Sequence, residues 1–241
     1  MKKSFYNIIM LIAGFAVAAA TSSCMFNCVH GSGHQSSETR KVGDFTRLDI
    51  SGGFKINLKQ DSSLTLNITA DDNLLKYIKT KVDGNTLHIY TRKNMCNSGQ
   101  MTINIGIRTL EKLKSSGAIE VAGDGKIVTK DLTFDMSGAS KITLDLDAAN
   151  VTTDGSGATE IFLTGRANAH HVDMSGVGKV HALDFVVGDY YIETSGASEC
   201  QINATHSLEV HSSGASEIKY RGNPPSVTND KSGASSLEKV D

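Results

Sequence analysis

Four acidic residues recur at a nearly constant interval and could act together chemically. This acidic stripe consists of Asp135, Asp154, Asp173 and Glu193, which are separated by 19, 19 and 20 residues. The spacing brings them side by side if each interval is one turn of a repeating structure with a rise of about 4.8 Å. Carboxylates at that separation repel one another, which raises their pKa values or recruits a cation such as calcium. Two of them could also cleave a polysaccharide as an acid–base pair.

The same residues also admit a purely structural interpretation, in which they form a solvated face. Lys141 and Lys179 stand three residues after two of the repeated glycines and could neutralise part of the charge. The G-G-x-G-x-D pattern of calcium-binding β-rolls is absent from the sequence. His170 and His171 are adjacent, and in a strand they face opposite sides, which disfavours joint metal ligation. The acidic stripe is therefore a solvated face, a cation site or a catalytic pair, and calcium is the one cofactor that the sequence suggests.

The second repeated feature is the tetrapeptide SGAS and its variants, in which a serine precedes a glycine. A serine nucleophile needs one privileged copy with a base and oxyanion donors, whereas several near-equivalent copies single out none. Glycine adopts corner conformations that are closed to residues with a Cβ atom, and a serine hydroxyl can cap backbone groups there. The sequence therefore predicts no catalytic serine, and it predicts structural corners at Gly117, Gly138, Gly157, Gly176, Gly196, Gly214 and Gly233.

The residues on both sides of these glycines alternate with a period of two, which is the periodicity of a β-strand. The position four residues after the glycine is apolar in every copy, as Val121, Ile142, Ile161, Val180, Cys200, Ile218 and Leu237. A unit of strand, corner, strand and turn can bury its apolar face only by stacking on its neighbours. The predicted fold is an all-β, right-handed parallel β-helix, or β-solenoid, with repeats of about 19–20 residues. We expect regular repeats over 109–241 and, because Ser51-Gly52 begins a further copy, an elaborated N-terminal cap over 45–108.

The N-terminus has the pattern of an export signal. Two lysines precede an apolar core of 13 residues, which is too short to span a bilayer comfortably. The small residues that follow end at Cys24, so residues 1–23 resemble a bacterial lipoprotein signal with Cys24 as the lipidated residue. Ordinary secretion is the alternative, because Thr21 stands where such signals usually have leucine. The Gly/Ser-rich segment 24–44 is predicted to be a flexible tether.

The remaining cysteines do not follow a zinc-binding pattern, since no C-x-x-C pair occurs. If Cys24 carries lipid, an odd number is left. Cys28 and Cys96 could form a disulfide in an oxidising compartment, although their spacing does not decide the pairing. Cys200 falls in the apolar column and is predicted to pack as a small hydrophobic residue.

Composition excludes one class of partner. The formal net charge of −2 and the lack of a long basic run argue against nucleic acid. The 23 glycines, with only two prolines, indicate many regular turns and argue against disorder. Phosphate-binding loops, dinucleotide fingerprints and H-E-x-x-H motifs are absent.

Two stretches identify a family resemblance. The segments "FTRLDISGGFKINL" and "LTLNITADDNLLKYIKTKVDGNTLHI", followed by the SGAS ladder, resemble the head GIN domain family of auto-transporter adhesin-like proteins, common in Bacteroidetes. The resemblance spans about residues 42–240 and implies a β-helical fold and an exported protein of the cell envelope. It supplies no catalytic motif, and "adhesin" here rests on an analogy of fold.

Three functions follow from these observations. The first is a non-enzymatic lipoprotein, associated with the outer membrane on its periplasmic or outer side, whose broad face binds a glycan or another surface component; Tyr190 or Tyr191 could stack on a sugar. The second is a polysaccharide-cleaving β-helix enzyme that uses Asp154, Asp173 and Glu193. The third is a structural component of the envelope with a fixed protein partner.

Overall fold

The computed structural model describes residues 28–241, so the predicted signal segment and Cys24 lie outside the described residues. This part of the chain is nearly all β, and its helical content is a 3₁₀ turn at Leu75–Tyr77. No helix within it is long and apolar enough to cross a membrane. The strands are β1 (Cys28–His30), β2 (Gln35–Lys41), β3 (Arg47–Gln60), β4 (Thr65–Asp71), β5 (Ile78–Asp83), β6 (Thr86–Thr91), β7 (Asn94–Cys96), β8 (Thr102–Ile107), β9 (Lys112–Gly214), β10 (Glu217–Arg221), β11 (Ser226–Gly233) and β12 (Ser236–Lys239).

Successive repeats lie beside one another in parallel register. β3 pairs with the first part of β9 so that Gly52 faces Gly117, and β11 pairs with the last part so that Gly233 faces Gly214. Within β9, a Cβ atom on any of four successive corner glycines would lie 2.5–2.8 Å from the carbonyl oxygen of the preceding corner glycine. The 103 residues of β9 therefore return to the same corner once per repeat, and the corner glycines form one continuous column. We call each repeat within this stack a coil.

The corners have the geometry that the SGAS pattern predicts. All seven corner glycines from Gly117 to Gly233 have φ between 81° and 118°, a region that favours glycine. The serine before the glycine donates a hydrogen bond to a backbone carbonyl of the previous coil, as in Ser137 to Ser115 (3.2 Å), Ser156 to Met136 (3.3 Å) and Ser175 to Gly155 (3.4 Å). The capping role of these hydroxyls is thus confirmed.

The core lies inside the stack and follows the alternation in the sequence. The predicted apolar column is fully buried from Val121 to Ile218, and Leu237 is partly buried at the C-terminal end. Cys200 is a buried free thiol whose burial raises its pKa to about 12, which confirms its packing role. The last serine of several SGAS units also points inward, and buried hydroxyls pair there, as Ser115 with Ser140 and Thr194 with Ser216 (2.9 Å each).

The N-terminal part covers one end of the stack. The two halves of β3 pair with β9 on one side and with β6 and β8 on the other. β5 and β6 form a hairpin whose turn contains Gly84, and β4 extends the sheet beyond β8. These cap strands occupy the edge of β3 that would otherwise be free to pair with another chain.

The prediction of a flexible tether is wrong for the described part of segment 24–44. Residues Gln35–Lys41 form β2, which pairs antiparallel with β4 over seven residues. Cys28–His30 form β1, which pairs with β7, and a disulfide joins Cys28 to Cys96. A polar strand of this kind is specified by its partner rather than by an apolar alternation, because it adds to an existing sheet edge.

Candidate binding face

The acidic stripe lies on the outside of the coils, three residues before each corner glycine. Asp154, Asp173 and Glu193 are exposed, and Asp135 is partly buried. Asp135 pairs with Lys112 at 3.1 Å, whereas Asp154, Asp173 and Glu193 form no ion pair with any residue of 28–241. The predicted juxtaposition is reflected in Asp154, whose pKa is raised first by desolvation of its carboxylate and then by the charges of Asp173 and Asp135.

The column on the other side of the corner behaves differently. Three residues after the corner glycine, lysine and glutamate side chains of neighbouring coils pair across the stack. The pairs are Lys55–Glu120 (3.5 Å), Lys141–Glu160 (3.6 Å) and Lys179–Glu199 (3.9 Å). Lys141 and Lys179 therefore neutralise glutamates of their own column rather than the acidic stripe. The stripe is left with uncompensated negative charge, which is available to an external partner.

Histidine and tyrosine rings form a ladder beside the stripe. Tyr191 stacks on His171 with ring centroids 4.5 Å apart and an interplanar angle of 6°, and His211 approaches the other side at 5.5 Å. The Tyr191 hydroxyl lies 3.5 Å from a carboxylate oxygen of Glu193. Both faces of the Tyr191 ring are thus occupied by neighbours within the protein. The prediction that Tyr191 stacks on a sugar is unsupported by this geometry, although its hydroxyl and ring edge remain accessible.

The alternative prediction, that Tyr190 stacks on a sugar, is wrong. Tyr190 is 1% exposed and packs in the core against His170, with ring centroids 5.2 Å apart. His170 is equally buried and His171 is exposed, which confirms that the two histidines face opposite sides. The period-two alternation already contained this signal, because His170 and Tyr190 both stand six residues before a corner glycine, in an otherwise apolar column.

A shallow groove lies where the stripe reaches the last coils. Its volume is about 280 Å³, and Glu193, His211 and Asp230 line it together with the corner serines Ser195, Ser213 and Ser232. Glu209, at 2.8 Å from His211, is the main cause of the raised pKa of that imidazole, to which Asp230 and Glu193 also contribute. The polar walls of the groove present hydrogen-bond acceptors and donors, which suit a ligand rich in hydroxyl or amide groups.

Two further kinds of side-chain cluster bear on chemistry: metal-ligand groups and serine–histidine–carboxylate groups. No group of three or more His, Cys, Asp and Glu side chains within 28–241 could hold a metal ion. Sequence reasoning overlooked one cluster, in which Asp189 accepts hydrogen bonds from both Ser207 and His206 (2.6 Å each). In a nucleophilic triad the histidine lies between the serine and the carboxylate, so this exposed cluster does not activate Ser207.

Comparison with known protein families gives one match that covers most of the described chain. The family described as "Putative auto-transporter adhesin, head GIN domain" matches residues 44–224. The chain belongs to this family. The matched region includes most of the cap, the acidic stripe and the corners up to Gly214. No curated protein matches the chain.

Solved structures similar to this head GIN chain include proteins from Bacteroides and Parabacteroides. A protein titled a putative adhesin from Bacteroides fragilis has 22% identity and a TM-score of 0.82, and the match covers 88% of this chain and all of that one. A second putative adhesin, from Parabacteroides merdae, has 21% identity and a TM-score of 0.70, over 90% of this chain and all of that one. A protein titled a putative lipid binding protein, from Parabacteroides distasonis, has 20% identity and a TM-score of 0.73, over 88% and 99%. At these identities the likeness concerns the fold.

Proposed function

We propose that this chain is a non-enzymatic adhesin of the cell envelope, whose acidic stripe and adjoining groove bind a glycan or another surface component. The observation that carries the proposal is the contrast between the two columns beside the corner. One column neutralises itself through lysine–glutamate pairs, whereas Asp154, Asp173 and Glu193 are left without ion pairs in the described chain. Membership of an adhesin-like family supports this assignment.

The architecture that we propose for the head is a right-handed parallel β-solenoid. Parallel register between successive repeats and the continuous column of corner glycines support it. The right hand is inferred from the general preference of parallel crossover connections. A solenoid of this kind presents an extended, regular side, which favours broad and shallow recognition over enclosure of a small substrate.

The attachment that we propose is a lipid on Cys24, after removal of residues 1–23. The charged start, the short apolar core and the small residues before Cys24 support this. Such an anchor would associate the head with the outer membrane, facing either the periplasm or the medium.

The chemistry of the face favours polar recognition of the ligand. Carboxylates accept hydrogen bonds from sugar hydroxyls, and hydrogen bonds to charged groups are among the stronger ones in proteins. Because the faces of the Tyr191 ring are covered by His171 and His211, sugar stacking contributes little here. The stripe could also bind the ligand through a cation that bridges it to Asp173 and Glu193. Loss of binding on chelation distinguishes this mode from direct hydrogen bonding.

The test is binding of the mature chain, with Cys24→Ser, to a glycan array in calcium and in EGTA. The stripe variant is Asp173→Asn with Glu193→Gln. Its matched control is Glu160→Gln with Glu199→Gln, which removes two carboxylates from the self-neutralised column. We expect saturable binding to one glycan class that the stripe variant loses and the control keeps. Absence of binding in both conditions would contradict glycan recognition and favour a fixed protein partner, which co-purification from the envelope would reveal.

A second candidate function is polysaccharide cleavage, because the raised pKa of Asp154 is a property of a general acid. In that case Asp154 would protonate the leaving oxygen while Asp173 acts as base or nucleophile. Release of reducing ends from a polysaccharide that is abolished by Asp173→Asn, with Glu199→Gln as control, would establish it.

A further inference from the structure

A group of cations surrounds one tyrosine on the cap. The basic cap cluster consists of Lys76, Tyr77, Lys79, Arg92 and Lys93. The ammonium groups of Lys76 and Lys93 lie 5.1 Å and 5.3 Å from the centre of the Tyr77 ring, within range of a cation–π interaction. The backbone N–H of Arg92 donates to the carbonyl of Tyr77 at 3.0 Å, and the Lys79 ammonium donates to the carbonyl of Lys76 at 2.6 Å. The ammonium groups of Lys76, Lys79 and Lys93 thus gather at the 3₁₀ turn, and the backbone of Arg92 is held beside them.

The cationic side chains of this cluster, Lys76, Lys79, Arg92 and Lys93, form no ion pair within residues 28–241. The hydrogen bond from Arg40 and, to a smaller extent, the charge of Lys79 lower the pKa of Glu38, whose ion pair is with Arg40 at 2.9 Å. Asp83 pairs with Lys81 at 3.2 Å. Lys76, Arg92 and Lys93 are exposed. The cap therefore carries a positive patch, in contrast to the acidic stripe on the coils.

The patch lies where the chain leaves toward its N-terminus. Cys28 is the parallel partner of Asn94 in the β1–β7 pair, and Asn94 directly follows Lys93. The disulfide from Cys28 to Cys96 fixes β1 at this place. Cys24 is four residues before Cys28, and four residues span at most about 14 Å. A lipid on Cys24 is therefore attached within about 14 Å of a point beside the basic cap cluster.

We propose that the basic cap cluster is a membrane-docking surface that binds the anionic phosphate headgroups of the bilayer carrying the anchor. This inference rests on the lipid anchor of the proposed function. The chain between anchor and head is too short to let the head move far from the bilayer, and the surface next to it has the charge and the tyrosine that suit a headgroup region. The coils extend away from the cap, since β9 lies on the side of β3 opposite to β6 and β8. The cap then faces the membrane, and the groove beside Asp230 lies roughly 40 Å farther along the stack.

The first test uses the mature chain with Cys24→Ser and measures co-sedimentation with vesicles at low salt. Vesicles of phosphatidylcholine with phosphatidylglycerol are compared with vesicles of phosphatidylcholine alone. Each lysine near an anionic surface strengthens binding about fivefold, so Lys76→Gln, Lys79→Gln and Lys93→Gln together should weaken it about 100-fold. The matched control replaces three exposed lysines of the coils and of β11, Lys114, Lys130 and Lys231, by glutamine and should leave binding within about threefold.

The second test reports orientation in the lipidated protein. The chain contains no tryptophan, so Tyr77→Trp introduces a single fluorescent reporter into the basic cap cluster. In vesicles containing brominated phosphatidylglycerol we expect its emission to shift to shorter wavelength and to be quenched. The control reporter, Phe162→Trp on the coils, should show neither effect.

The outcomes separate this inference from the proposed function. Equal binding to neutral and anionic vesicles, equal loss in both triple-lysine variants, or equal quenching of both reporters would overturn membrane docking by the cluster. Absence of palmitate labelling at Cys24 in cells would instead remove the anchor on which both rest. Glycan binding is measured on the non-lipidated chain without vesicles, so its failure leaves the docking result unaffected.

Discussion

The buried histidine of the core makes the stability of this protein depend on pH in a calculable way. His170 is 1% exposed, its Nε2 lies 2.9 Å from the Thr153 hydroxyl, and its Nδ1 has no hydrogen-bond partner in the protein. Burial, with a smaller contribution from the charge of His171, lowers its pKa from 6.5 to about 3. The folded protein therefore keeps this imidazole neutral at a pH where the unfolded chain protonates it.

The sign of the effect follows from proton linkage. Between pH 6.5 and about 3 the unfolded state binds one more proton than the folded state at this site, so the free energy of unfolding falls as the pH falls. At pH 7.5 the contribution is nearly absent. Between pH 7.5 and pH 4.5 it amounts to a loss of about 2–3 kcal/mol, at 1.36 kcal/mol per unit of pKa difference.

The perturbation that isolates this contribution is His170→Leu combined with Thr153→Val. Removing both hydrogen-bond partners avoids leaving the Thr153 hydroxyl buried and unpaired. Urea unfolding at pH 7.5 and 4.5 should show that the double variant loses about 2–3 kcal/mol less than the parent protein over this interval. His171→Gln, an exposed neighbour, should retain the parental pH dependence. If the double variant and the parent lose the same stability on acidification, His170 is not buried in its neutral form and the reasoning is refuted.

Three further perturbations test the corner, the core and the cap. Gly176→Ala should lower the free energy of unfolding by about 2–3 kcal/mol, because φ is 101° and the new Cβ meets a carbonyl oxygen at 2.8 Å; Gly125→Ala, at φ 92° with no atom within 4 Å, should cost less. Tyr190→Phe removes a buried, unpaired hydroxyl and should raise the free energy of unfolding by at most about 1 kcal/mol, which a higher melting temperature would report. Reduction of Cys28–Cys96, which closes a loop of 68 residues, should cost up to about 4 kcal/mol in denaturant unfolding at pH 7.5.

The stacked corners and the buried column could be predicted because each depends on a local pattern that repeats. Every copy of the unit from Gly117 to Gly233 has a serine before the corner glycine. The register of each copy could therefore be checked against that of the others. The acidic stripe followed from the same register. Its lack of ion pairs did not follow, because whether Lys141 and Lys179 turn to the stripe or to Glu160 and Glu199 depends on side-chain packing between coils.

The cap was harder to predict because its contacts are distant along the chain. β2 consists of polar residues with no apolar alternation, and its partner β4 begins 24 residues after β2 ends. The segment around Asp72 is likewise set by a distant contact. The Asp72 carboxylate accepts a hydrogen bond from Ser32 (2.6 Å), and the helical turn that follows is confined to Leu75–Tyr77. Tertiary partners thus override local propensity in this region.

The most direct test of the central claim is the dissociation constant of the glycan selected on the array, measured for three forms of the mature chain. These are the parent, the stripe variant Asp173→Asn with Glu193→Gln, and the control Glu160→Gln with Glu199→Gln. Because each lost carboxylate removes a charge-assisted hydrogen bond, the stripe variant should bind at least about tenfold more weakly, while the control stays within about twofold of the parent. Equal dissociation constants for the stripe variant and the parent would contradict the assignment of the acidic stripe as the binding face.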